Sequence, residues 1–202
     1  MSSDKTNDLP LQGRKPNGFT GYIIGKAMNV FHSKSYKLGL SKIPKVDNSI
    51  CLDIGCGGGK LVKLLALQKH NAKVYGLDHS YQMVNLSTKV NKSFIKDGVV
   101  EIIQGSVSKL PFPDTHFDLI TAFESIQFWP DLDLSLNEVR KKLKPSGIFL
   151  IVNMIPKEDS KWFDIVQIKS VEEYMSRLKI AGFSNISIDI ESKNGWGLFL
   201  AH

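Results

Sequence analysis

A doubly wound, mostly parallel α/β sheet with helices on both faces is the fold that this 202-residue sequence predicts. Three observations carry the expectation. Short apolar, strand-like segments alternate with amphipathic helical ones, the pattern of a parallel sheet covered on both sides. A run of glycines, Gly55, Gly57, Gly58 and Gly59, interrupts the chain between the first such strand and the helix after it. The last two strand-like segments follow one another with no helix between them, which adds antiparallel pairing at one edge.

The elements follow in order. Residues 1–16 are polar and read as a flexible N-terminus. From Gly18 to Ile43 apolar residues recur at helical spacing (Ile23, Ile24, Ala27, Val30, Phe31, Leu38, Leu40), which predicts one or two helices ended near Pro44. Ile50–Ile54 is a buried strand, followed by a helix over Leu61–Lys69 with Leu61, Leu64 and Leu65 inward. Lys73–Leu77 is the second strand. A helix runs from about Ser80, a candidate N-cap, to about Phe94. Asp97 and Gly98 mark a turn before a third strand, Val99–Gln104. Phe117–Phe123 is the fourth strand, and Leu134–Leu143 is a helix stopped by the Lys-Pro-Ser-Gly run. Ile148–Asn153 is the fifth strand. A helix over Val171–Ala181 ends at Gly182. Ile186–Ile190 and Trp196–Ala201 close a hairpin across Lys193, Asn194 and Gly195. Seven strands in all are expected, the last of them antiparallel. The whole of 17–202 reads as one domain, with 17–45 a helical lid segment and 46–202 the sheet core.

Bulk properties narrow the function. The chain is 42% hydrophobic and 23% charged, ordinary values for a globular protein. No apolar run approaches the roughly 20 residues that span a bilayer, and the N-terminus lacks the apolar core of a secretory signal. A cytoplasmic protein without membrane association is therefore expected. Cys51 and Cys56 read as reduced thiols, and no Cys/His cluster has zinc-site spacing, so no metal is expected. The net charge of +6 comes mainly from lysines scattered over the polar faces of predicted helices. A solvated surface explains them better than nucleic-acid binding. Monomer and homodimer both remain open.

Strand, glycine turn, helix is a layout that several nucleotide-binding folds share. A Walker phosphate loop requires G-x-x-x-x-G-K-[ST], but Lys60 is followed by Leu61 and position 54 is Ile. A dinucleotide fold requires G-x-G-x-x-G, but the sixth position holds Lys60 counted from Gly55, and Val62 counted from Gly57. What stands here is D-x-G-x-G-x-G, made by Asp53, Gly55, Gly57 and Gly59.

That pattern, with "VYGLDHS", "GSVSKLPFPDTHFDLI" and "NEVRKKLKPSGIFLIVN" following in order, resembles the class I S-adenosylmethionine-dependent methyltransferases. It is most similar to the group that includes ubiquinone and menaquinone biosynthesis enzymes, over nearly the whole chain from Gly18. The resemblance implies a Rossmann-like seven-stranded fold, S-adenosylmethionine as cofactor with S-adenosylhomocysteine as product, and a small-molecule methyl acceptor. It places Asp53 beside the methionine moiety, along with Gly55, Cys56, Gly57 and Gly59. It puts the Gly105-Ser106-Val107 turn along the adenine, with Val107 offering its N–H and Ser106 standing where the family commonly has an acid.

The residues support these roles on physical grounds. The cofactor carries no phosphate and needs close backbone approach, which glycine permits. Asp78, at the end of the second strand, can accept from two ribose hydroxyls. His79 next to it faces the ribose or solvent. Met83 is either core or an adenine contact, and Cys56 is also a plausible small loop filler. The stretch "TAFESIQFWPD" falls at the carboxyl ends of the strands, where open α/β sheets bind ligands. Ala122 and Phe123 would flank the methionine moiety, Glu124 is a candidate base, and Phe128 and Trp129 either wall an apolar pocket or pack the lid. His32, on the lid segment, is a second candidate base because its pKa lies near neutrality. An RNA methyltransferase and a non-catalytic S-adenosylmethionine-binding protein are the alternative readings.

Overall fold

The computed structural model describes residues 33–43, 47–68, 71–160, 163, 164, 166–192 and 195–202. His32, most of the predicted lid segment, Lys69 and the hairpin residues Lys193 and Asn194 lie outside the described residues. The elements are α1 (Ser33–Leu40), β1 (Ile50–Ile54), α2 (Lys60–Gln68), β2 (Lys73–Asp78), α3 (Tyr81–Val90), α4 (Lys92–Lys96) and β3 (Val100–Gln104). They continue with β4 (Phe117–Phe123), a short 3₁₀ turn (Ile126–Phe128), α5 (Leu132–Lys142), β5 (Leu143–Met154), α6 (Val171–Ile180), β6 (Ser187–Glu191) and β7 (Trp196–Ala201).

The seven strands form one sheet in the order β3-β2-β1-β4-β5-β7-β6. The β1–β2, β1–β4, β2–β3 and β4–β5 pairs are parallel, while β7 runs antiparallel to both β5 and β6. The strand order reverses between β1 and β4, so the carboxyl ends of these two strands open a crevice at the switch point. The closing hairpin forms as expected, but β7 slots in beside β5 and leaves β6 outermost.

Alternation along the strands sends side chains to two cores. Leu52, Ile54, Ile120, Phe149, Ile151 and Phe199 join Leu136 and Val139 of α5 and Tyr174 and Leu178 of α6 on one face. Cys51, Leu119, Leu150, Val152 and Leu198 join Tyr36 of α1 and Leu61, Val62 and Leu65 of α2 on the other. Both faces being covered explains why β1, β4 and β5 read as continuous apolar runs.

Three boundaries differ from the sequence reading for a plain local reason. The helix expected over 80–94 divides at Asn91, whose side-chain amide donates to the Gly59 and Ser87 carbonyls (3.0 and 2.9 Å). Ser80 holds the N-cap position of α3 but makes no capping bond through its side chain. Helix α5 starts two residues early because Asp131 caps it, accepting from Leu134 N–H at 3.1 Å. Strand β5 begins at Leu143, paired with Phe117, and bulges before Ile148 pairs with Leu119. The Lys-Pro-Ser-Gly run is thus a bulge within a strand as well as a helix stop.

Candidate active site

The crevice starts with the turn after β1. Gly55, Gly57 and Gly59 have φ of 72°, 49° and 76°, the left-handed region that favours glycine. The N–H groups of Gly55 and Cys56 both donate to the Leu77 carbonyl (2.8 and 3.0 Å), tying the turn to the end of β2. The glycines then divide their work. A Cβ on Gly55 would sit 2.5 Å from Ser125 Cβ, and one on Gly59 would collide with Ser87 and Asn91. Next to Gly57 nothing lies within 4 Å. Two of the glycines let helices and loops pack closely, and the third leaves bare backbone facing open space.

Asp78 organises the floor beside it. Its Oδ2 accepts from Gly57 N–H at 2.9 Å and its Oδ1 from Ser80 N–H at 2.8 Å. Each oxygen keeps a lone pair for a ligand hydroxyl. Burial raises the Asp78 carboxyl above its ordinary range, while the Ser80 and Gly57 amides and then His79 pull it back. Asp53 is 3% exposed and accepts from Thr121 Oγ1 at 2.8 Å. Burial pushes its pKa up to about 7, the Thr121 hydroxyl opposes this, and Asp78 adds to it. The carboxylates of β1 and β2 therefore feel each other across the turn, and a cation arriving between them relieves both.

The other residues expected near the cofactor divide between crevice and core. His79 is exposed, with Nδ1 3.8 Å from Asp78 Oδ1. Cys56 is buried, its thiol facing Ser87 Oγ at 3.9 Å, and burial raises its pKa, so it is an inert filler. Met83 is buried on α3. Ser106 Oγ accepts from Ser108 N–H at 3.3 Å within its own turn, and the Val107 side chain belongs to the core. Phe123 turns toward α1, its ring 5.7 Å from Tyr36 and beneath Gly39.

Past β4 the chain enters the crevice again. Glu124 has φ of 51°, strained for a residue with a side chain. Its N–H donates to the Val152 carbonyl at 2.8 Å, and its Oε2 accepts from Met154 N–H at 3.4 Å. Glu124 is half-buried, and desolvation raises its pKa to about 7 against the pull of Met154 and Trp196. Trp129 stacks near Phe149 (6.3 Å) in the core and is not a crevice wall.

Three residues that the sequence reading missed complete the site. Ser125 Oγ donates to the Ile54 carbonyl at 2.8 Å, pinning the loop after β4 onto β1. Thr121 serves Asp53. Tyr36 of α1 is buried and lies in the field of Asp53, Cys56 and Glu124, so α1 covers the crevice from one side. Strand position 121, facing position 53 in the β1–β4 register, was available as a signal for Thr121. Nothing local marked Tyr36. Among the described residues no group of His, Cys, Asp and Glu could hold a metal ion.

Residues 52–151 match the family model described as a methyltransferase domain. These residues form a methyltransferase domain. The sterol 4-C-methyltransferase of Caenorhabditis elegans is 30% identical over 148 residues, covering 71% of this chain and 41% of that one. The fatty-acid O-methyltransferase of Mycolicibacterium smegmatis is 32% identical over 114 residues, covering 56% and 40%. The chain thus spans about two fifths of the length of these relatives. A crystal structure of an S-adenosylmethionine-dependent methyltransferase from Aquifex aeolicus superposes with a TM-score of 0.72 at 19% identity, covering 88% of this chain and 97% of that one. The seven-stranded fold expected from the sequence stands, and the matched residues carry the methyltransferase-domain pattern that the glycine motif suggested. No described helix is long and apolar enough to cross a membrane.

Proposed function

We propose that this chain transfers a methyl group from S-adenosylmethionine to a small-molecule acceptor. The single observation that carries the reading is the bare backbone at Gly57, tied to Asp78, at the carboxyl ends of β1 and β2. These residues fit the cofactor. Open space at Gly57 admits a flat nucleoside, the spare lone pairs of Asp78 suit its ribose hydroxyls, and buried Asp53 suits its ammonium end. When bound, S-adenosylmethionine supplies a methyl group already activated on a sulfonium.

The chain's own residues then position, screen and accept a proton. Asp53, Asp78 and Glu124 line the crevice with carboxyl groups, whose ionised forms a cationic cofactor favours and which hold it in register. Tyr36 and α1 exclude water from one side. Glu124, with a pKa of about 7, would take the proton that an acceptor hydroxyl gives up on methylation. The relatives' names, a sterol 4-C-methyltransferase and a fatty-acid O-methyltransferase, support acceptors that are small and partly apolar.

Incubating the protein with methyl-labelled cofactor and a small-molecule extract, then separating products by mass, tests the reading. Label in a discrete small molecule is the expected result. Label confined to RNA, or cofactor binding without transfer to any fraction, would overturn it.

A further inference from the structure

The Glu124 carboxyl is reached from the neighbouring pair of strands. Met154 N–H, at the end of β5, donates to its Oε2 at 3.4 Å. Trp196 opens β7 and stands directly opposite Met154 in the β5–β7 register. Directly opposed residues of an antiparallel pair share one face of the sheet. Alternation along β5 and β7 makes this the face of Val152, Leu198 and Tyr36. The backbone beside Trp196 is clamped, because Ile155 N–H donates to the Gly195 carbonyl and Gly195 N–H to the Glu191 carbonyl, both at 2.9 Å. The ring of Trp196 is half-buried, yet its Nε1 is sealed from solvent. The acceptor that this N–H serves is the Glu124 carboxyl, and it makes no other hydrogen bond among the described residues.

We infer that Trp196 is the positioning residue for Glu124: its indole N–H holds the carboxylate at the mouth of the crevice, where it can receive the proton of the methyl acceptor. The inference rests on the methyltransferase reading above, which gives Glu124 its role as base. The chemistry of the contact is one-sided. An indole N–H donates and cannot accept. It therefore favours the ionised carboxyl, the form able to take a proton, over the acid. Met154 N–H acts in the same sense from 3.4 Å, and together the two donors oppose the desolvation of Glu124. Tyr36 of α1 and Tyr174 of α6 lie in the field of Glu124, but burial keeps both phenols protonated far above neutrality. Two further carboxyl groups come close enough to need separate control. Glu191 of β6 stands opposite Trp196 in the β6–β7 register, and Asp53 acts, with Cys56, on the same Tyr36.

NMR of the full chain carrying isotope-labelled tryptophan and glutamate, followed as pH rises through neutrality, tests the inference. The Trp196 indole signal is the one that disappears in Trp196→Phe. In the wild type it is expected to move with the midpoint of Glu124, about pH 7. It should still move in Asp53→Asn and Glu191→Gln, and stay still in Glu124→Gln. In Trp196→Phe the Glu124 carboxyl midpoint should rise by about one pH unit, the scale of one hydrogen bond to a charged group. The acid limb of methyl transfer should rise with it. An indole signal that still moves in Glu124→Gln, one that stops moving in Glu191→Gln, or an unchanged Glu124 midpoint in a folded Trp196→Phe would overturn the assignment. The wild-type indole titration decides the matter even where Trp196→Phe fails to fold. An indole that follows Glu124 in a protein unable to bind S-adenosylhomocysteine would instead overturn the methyltransferase reading.

Discussion

The two ends of the crevice are built in opposite ways. At the β1–β2 end every turn is tied: the Gly55 and Cys56 amides to Leu77, the Gly57 and Ser80 amides to Asp78, the Thr121 hydroxyl to Asp53. At the β4–β5 end Glu124 sits in a left-handed conformation, its side chain reached by a long bond from Met154 N–H at 3.4 Å. The first end is preorganised for a ligand of fixed chemistry. The second holds a strained, half-buried carboxyl group. Preorganisation reduces the ordering cost of binding, whereas a strained backbone at a site costs stability that the rest of the fold carries.

The largest expected effect breaks the acceptor end alone. Glu124→Gln should lower transfer to a hydroxyl acceptor by about 100-fold or more, the usual scale for a lost general base. S-adenosylhomocysteine affinity should change far less. Measured rates at pH 8 check this, and an equal loss of cofactor binding would merge the two ends.

Next in size is a pair of substitutions that separates packing from binding within the glycine turn. Gly55→Ala meets both a left-handed φ and Ser125 at 2.5 Å, so thermal denaturation should show a loss of about 3 kcal/mol or more. Gly57→Ala meets only the conformational penalty, about 1–2 kcal/mol. Its methyl group projects into the open space instead, so it should weaken the cofactor more than Gly55→Ala weakens what still folds. Equal destabilisation by both would remove the distinction between the two glycines.

The remaining effect is on pH. Asp53 has a folded pKa of about 7 against about 4 when unfolded. The folded form therefore holds its proton longer, and this contribution to stability is full below about pH 4 and lost as pH rises to about 7. Asp53→Asn should gain stability relative to the wild type across that window, as followed by urea denaturation. A constant difference would mean that Asp53 is already ionised in the free protein.

Much of the β1–β2 end was legible in the sequence because its function lies in local spacing. Asp53, the glycines and Asp78 fall at strand ends that apolar periodicity had already located. The division of labour among the glycines was not legible, since it depends on Ser125, Ser87 and Asn91, which come from distant segments. The β4–β5 end showed only Glu124. Tyr36 and Tyr174, from the two opposite faces of the sheet, both come within the field of Glu124 through the strand order and helix packing, and no short pattern records that. Trp129 illustrates the converse: its place in the loop suggested a crevice wall, but the core of α5 and β5 takes its ring.

Titration calorimetry of S-adenosylhomocysteine into the wild type and Asp78→Ala tests the cradle most directly. One site on the wild type is expected, weakened about 100-fold in the variant, because each charge-assisted hydrogen bond lost costs about 1.5–3 kcal/mol. Equal affinity in both proteins, or binding of NAD in place of the nucleoside, would contradict the account.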